Sequence, residues 1–261
     1  ASVLAALAVS AQVTTVEAAI PEGNATAGAE GAIGRTVEVA GDSSVGVGKG
    51  ITVTKRFSVA MGNGINATAE NAVAIGSGAN FGKVQALGSD SVAIGTRANA
   101  GMQSSIAIGR LSRADTGEKG VAIGNEAVTT ALSAIAIGNK VNATKDTAIS
   151  IGNQSNATGT AAVAYGNQAQ ATADSTVAVG DQSKATAANA TAVGKSSEAS
   201  QDSALAAGNG ASASAAGAVA AGKNASASGV QSIAIGSAGT DAAEAPTASG
   251  TQSIAIGSKT V

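Results

Sequence analysis

The chain has 261 residues, with 35 Gly, 1% aromatic content, net charge −2, and neither His nor Cys. That balance excludes His- and Cys-based catalysis and ordinary zinc sites, and it offers no basic excess for nucleic acid. Gly does not recur at every third position, so a collagen helix is excluded, and with so few large side chains the interior must be thin and lined by small residues.

Residues 1–16 carry no charge and are mostly apolar. The run is too short to span a bilayer. It reads as the end of a signal-peptide apolar region, with small-residue cleavage candidates near Ala11 or Ala18-Ala19, or as a cap on the first edge of a repeat array. Residues 1–20 are therefore assigned as signal-peptide remnant or N-terminal cap, and 21–261 as the repeat body, entered through a polar connector from Pro21 to Gly28.

The repeat is anchored on glycine. Gly34, Gly48, Gly62, Gly76, Gly95, Gly109 and Gly124 begin a series that keeps the spacing of Gly124 to Gly138 as far as Gly236 and ends at Gly257. Only three steps are longer than that spacing: Gly76 to Gly95, Gly109 to Gly124, and Gly236 to Gly257. So constant a phase marks one structural unit stacked on the next. The residue before the anchor and the residue three before it are mostly Ile or Val, as in Ile135-Ala136-Ile137-Gly138. Ala lies between them in every repeat except those of Gly46 and Ser150. Alternation of β-branched residues predicts a strand. Gly followed by Asn, as at Gly138-Asn139, predicts a tight turn, because both tolerate positive φ. A second alternating run follows, for example Val141-Asn142-Ala143-Thr144 and Ser155-Asn156-Ala157-Thr158. A repeat this short leaves no room for a crossover helix, so each strand must pair with its equivalent one repeat later. The predicted fold is all-β: a parallel β-roll, or β-solenoid, of about 16 coils spaced ~4.8 Å apart. The three phase breaks place insertions near Phe81 to Gln85, near Gly117, and between Asp241 and Ser249.

The faces of the first strand are less readily assigned. If Ile and Val line the inside, the Ala column and the position four before the anchor face outward. That second column holds Ser, Ala, Gly or Thr from Ser44 to Ser253, with a charge only at Glu30. The reverse assignment exposes Ile and Val. Either way the first strand is covered on both faces, which predicts self-association through it. Taking Ala as the outward column, the interface comprises Ala93, Ala107, Ala122, Ala136, Ala164, Ala178 and Ala192. The second strand presents a solvated face: Asn142, Thr144, Asn156, Thr158, Gln170, Thr172, Lys184 and Thr186 are its candidate ligand-binding residues. Its N-x-S/T triplets, at Asn142 and Asn156 among others, follow from strand alternation without invoking glycosylation. The phosphate-loop look-alike Gly46-Val47-Gly48-Lys49-Gly50 lacks Ser or Thr after the Lys and lies in repeat phase.

Segments such as Ser91-Val92-Ala93-Ile94-Gly95, Ser105-Ile106-Ala107-Ile108-Gly109, Ser232-Ile233-Ala234-Ile235-Gly236 and Ser253-Ile254-Ala255-Ile256-Gly257 resemble the head repeats of the trimeric autotransporter adhesins, the YadA-like family. The S-x-A pattern of Ser155-Asn156-Ala157 and Ser183-Lys184-Ala185 is similar to that family's second strand. The resemblance implies a homotrimer of left-handed rolls on a bacterial surface, exposed from the outer membrane. It further implies binding to a host matrix protein such as collagen, or to a cell-surface receptor. Neck, stalk and membrane anchor motifs are missing from the pattern, so the expectation is a head, touching the membrane only through an anchor outside this sequence. No cofactor, metal, nucleic acid or enzymatic role is implied; scattered acids with almost no aromatics do not suit a glycan-cleaving solenoid. An alternative from another class is an ice- or crystal-binding solenoid, using the ladder of Thr144, Thr158, Thr172 and Thr186 continued by Ser200, Ser214 and Ser228.

Overall fold

A computed structural model describes residues 25–27, 32–78, 82–239 and 244–258. The expected N-terminal remnant or cap lies outside these residues, as do parts of the first and third insertions. The described residues form 29 strands, all paired in parallel. First strands pair with first strands, as Ile135–Asn139 with Ile149–Asn153, and second strands with second strands, as Asn142–Ala143 with Asn156–Ala157. The register equals the sequence period, setting Ile135 opposite Ile149 and Asn142 opposite Asn156. At the insertions the ladder absorbs the extra residues without slipping: Val84 pairs with Ile65, Val121 with Ile106, and Thr247 with Ser226. The all-β parallel solenoid expected from the period is the observed fold.

The inside of the coil is the Ala column. Ala93, Ala107, Ala122, Ala136, Ala164, Ala178 and Ala192 are all 0% exposed within a single chain, and so are Ser58, Ala72, Ser91 and Ser105 four before their anchors. The flanking Ile and Val columns are half-buried or exposed, at 42% for Ile235 and reaching 64% at Ile254 in the last coil. This corrects the expected interface: the seven alanines face the opposite strand of their own coil and present no surface to a second chain. The physical reason is width. Two strands closed by turns of a few residues lie too near one another for Ile on both, so the first strand contributes Ala, Ser or Gly and a larger inward residue is met only on the second.

The exceptions support this account because each is compensated. Gly46 replaces Ala in its column, and a Cβ there would lie 2.7 Å from Val39 Cγ2 and 2.9 Å from Val37 Cγ1. In these early coils the second strand points Val37, Val39, Ile51 and Val53 inward, and the facing position shrinks. Gly120 makes the same exchange against Thr129, whose Oγ1 would lie 2.7 Å from an added Cβ. Ser150, the other departure from Ala, shares a buried hydrogen bond of 2.9 Å with Ser155 across the interior. Several interior hydroxyls satisfy turn carbonyls, as Ser105 Oγ donates to Met102 O at 2.6 Å and Thr176 Oγ1 to Ala173 O at 2.6 Å, while those of Ser91, Thr129 and Ser232 are buried without a partner.

Each coil turns twice through a left-handed residue. The expected Gly-Asn turn is built differently from the sequence reading: Asn139 stays in the strand, and the next residue, Lys140, takes φ 53°. Gln154, Gln168 and Gln182 repeat that conformation at φ 55°, 55° and 57°. For a non-glycine residue this costs roughly 1–2 kcal/mol through Cβ crowding. The residues are held there by inter-coil hydrogen bonds, such as Gln168 N–H to Asn153 O at 2.8 Å. Gln168→Gly is therefore expected to change stability little, whereas Gln168→Val should destabilise by about 1–2 kcal/mol. Denaturant unfolding of the two variants checks this, and equal losses would contradict it.

Candidate functional site

The second strand carries one outward side chain per coil between two inward ones. In the middle of the roll these are Asn142, Asn156, Gln170 and Lys184, in direct register along the axis. The inward neighbours Ala143, Ala157, Ala171 and Ala185 are fully buried and fix the orientation of the column. The four candidate ligand residues are thus brought together as a row at about 4.8 Å intervals. Thr144, Thr158 and Thr172, half-buried, and the exposed Thr186 lie at the corner that ends the second strand. Their backbone N–H groups donate to the next coil, as Thr144 to Ala157 O at 3.1 Å. The corner is edged by exposed charges such as Lys145 and Asp146, so the threonines do not share one flat face with the Asn/Gln row.

Two further columns were not singled out from the sequence. The left-handed turn residues Arg97, Leu111, Glu126, Lys140, Gln154, Gln168 and Gln182 form a second wall beside the Asn/Gln row. Between the two walls runs a shallow groove, with a cavity of about 290 Å³ lined by Gln168, Gln170, Gln182 and Lys184. Along the residue after each anchor runs an amide ladder. Asn125 Nδ2 donates to Asn139 Oδ1 at 2.8 Å, Asn139 to Asn153 at 2.8 Å, and Asn153 to Asn167 at 2.8 Å. Asn167 then donates to Asp181 Oδ1 at 2.7 Å, and Arg110 Nη1 caps the other end by donating to Asn125 Oδ1 at 2.9 Å. Each amide donates to one neighbour and accepts from the other, the arrangement that stacked identical side chains allow. The signal was present as Asn recurring once per repeat; assigning Asn to a positive-φ turn obscured it.

Opposite these polar columns, the first strand presents two apolar ones. Ile94, Ile108, Ile123, Ile137 and Ile151 form one, and Val92, Ile106, Val121, Ile135 and Ile149 the other, all half-buried in a single chain. A contiguous apolar stripe of this length marks an interaction face.

The profile described as "YadA head domain repeat (2 copies)" matches residues 54–79, 86–112, 116–140, 143–169, 171–197, 185–211, 213–238 and 247–260. Among solved structures, the collagen-binding domain of the Yersinia adhesin YadA is similar at 22% identity over 72% of each chain, with a TM-score of 0.29. No curated protein matches the chain. The profile covers well over half of the sequence, in phase with the coils. With its Ala-lined coils and Gly anchors matched by that profile, this chain belongs to the YadA head-repeat family.

Proposed function

We propose that the roll is the ligand-binding head of a trimeric adhesin, displayed on a bacterial surface and exposed from the outer membrane. The observation that carries the reading is the division of each coil into an apolar first-strand face and a polar second-strand face, kept in register along the axis. Three chains would bury their Ile and Val columns against one another and leave the Asn142, Asn156, Gln170 and Lys184 row to solvent. The corner residues Thr144, Thr158, Thr172 and Thr186 would border it. The ligand class is a host matrix protein such as collagen, or a cell-surface receptor. A long, repetitive ligand suits a long, repetitive face: each contact is weak, and the sum depends on simultaneous engagement.

A deletion series tests this. Removing Asn153 to Gly166 excises one whole coil and preserves the phase. Binding to immobilised fibrillar collagen is expected to fall by only about twofold for each coil removed between Gly124 and Gly236, because many equivalent contacts share the load. If one deletion abolished binding and the others did nothing, a local site would replace the distributed one.

A further inference from the structure

The groove on the second-strand side changes character toward the N-terminal half. One wall there holds Lys83, Arg97 and Lys140, in line with the glutamines of later coils. Lys83 Nζ donates to Asn66 Oδ1 at 3.0 Å, and no carboxylate pairs with any of the three among the described residues. The acids nearby are already neutralised. Glu126 is paired with Arg110 at 3.0 Å, and Asp115 with Arg113 at 2.8 Å. Two adjoining cavities, of about 300 and about 530 Å³, open between these side chains and share Arg97, Leu111 and Arg113. From Lys83 to Lys140 the patch spans four coil steps, roughly 19 Å. Three unpaired cations on one rigid wall thus face a groove, in a chain whose net charge is −2.

The groove also limits what it can take. Every second strand in this stretch is paired on both sides, so no ladder edge is free to accept a peptide strand. Among the described residues, Leu111 and Val128 are the large apolar side chains along it and no aromatic ring lines it, so these residues offer no platform for stacked bases. Beneath Arg113 two acceptor oxygens, Asn99 Oδ1 and Asp115 Oδ1, are buried without partners. Asn99 Nδ2 and Arg113 both donate to the other carboxylate oxygen of Asp115, at 3.2 and 2.8 Å. Those acceptors suit hydroxyl donors, while Arg113 stays on the other oxygen and keeps Asp115 neutralised. Cations without partners call for anionic groups, the acceptors for hydroxyls, and the straight axial groove for an extended chain. We propose that the groove from Lys83 to Lys140 binds a linear sulfated glycan, one carrying sulfate groups on a hydroxyl-rich backbone. This site meets the Asn142–Lys184 row at Asn142 and depends only on the folded roll.

The test is Lys83→Gln/Arg97→Gln/Lys140→Gln in the full chain, with heparin as probe. Gln154, Gln168 and Gln182 occupy in later coils the left-handed position of Arg97 and Lys140, so those two changes copy the protein's own sequence. Heparin affinity at low salt is expected to fall at least about tenfold, with a flatter salt dependence. Each single change should weaken it about threefold, which keeps the test decisive should the triple variant misfold. Lys195→Gln/Lys223→Gln, farther along the roll, should bind as the parent does, and fully desulfated heparin should bind the parent poorly. Parent-like heparin binding by the folded variants, an equal loss in the Lys195/Lys223 control, or equal binding of desulfated heparin or polyglutamate would each overturn the proposal. Collagen binding on the same samples reports separately on the adhesin reading.

Discussion

Gly138→Ala is expected to disrupt the roll at one junction and to destabilise it by at least about 3 kcal/mol. Gly138 sits at φ 134°, where L-residues are strained, and an added Cβ would overlap the carbonyl of Gly152 in the next coil. That atom belongs to the ladder, and no flexible side chain can yield in its place. Relief requires Ala136–Asn139 to part from Ser150–Asn153, and with them the register of the strand pair. The same geometry recurs at anchor after anchor, for example at Gly62 against Gly76 and at Gly152 against Gly166. Amide hydrogen exchange should show lost protection on both sides of residue 138. Full protection of Ile137 and Ile151 in the variant would contradict the account of a junction that only Gly can make.

The second large effect separates folding from assembly. Ala136 is fully buried inside its own coil, and Ile137 beside it faces outward. Ala136→Glu puts a charge into an interior built for a methyl group, at a cost of several kcal/mol. It is expected to unfold the surrounding coils at any protein concentration. Ile137→Glu should leave the coil intact, because solvent reaches that column in a single chain. It should instead lower the oligomeric mass measured by sedimentation, by burying a charge between chains. Circular dichroism follows the first effect and sedimentation the second. A folded Ala136→Glu chain together with an unfolded Ile137→Glu chain would reverse the assignment of the faces, and a parent Ile137 protein that sediments as a monomer would remove the trimer.

Much of this architecture could be read from the residues alone. The glycine period set the coil, the Ile-Ala-Ile alternation set the first strand, and the registers of Asn142, Asn156 and Gln170 followed from the period. The faces did not follow, because alternation reveals that two columns differ without saying which lies inside. Habit places Ile in a core, but a two-strand coil has no volume for it on both strands: where Ile51 or Ile65 points inward, it comes from the second strand and faces Gly or Ala. The deciding clue was the partner strand. Its inward positions, Ser155, Ala157, Ser183 and Ala185, are as small as Ala136, and small residues on both strands must face each other. The basic groove was hidden for a different reason. Lys83, Arg97 and Lys140 are scattered over several repeats, and only the restored register after the first insertion sets Lys83 in the same column as Arg97.

The parallel ladders have a mechanical consequence. Hydrogen bonds such as Gln168 N–H to Asn153 O join one coil to the next, and so point along the length of the roll. Tension applied end to end loads the coil interfaces in series, and each bears the whole force with only its own few bonds. Such a rod yields at its weakest junction and releases chain one coil at a time, in steps of equal contour length wherever the period is unbroken. Cross-links between neighbouring coils outside the backbone then set the order of failure. The amide ladder from Asn125 to Asp181 reinforces its stretch, so under traction the coils beyond it should give way first while the middle of the rod stays wound.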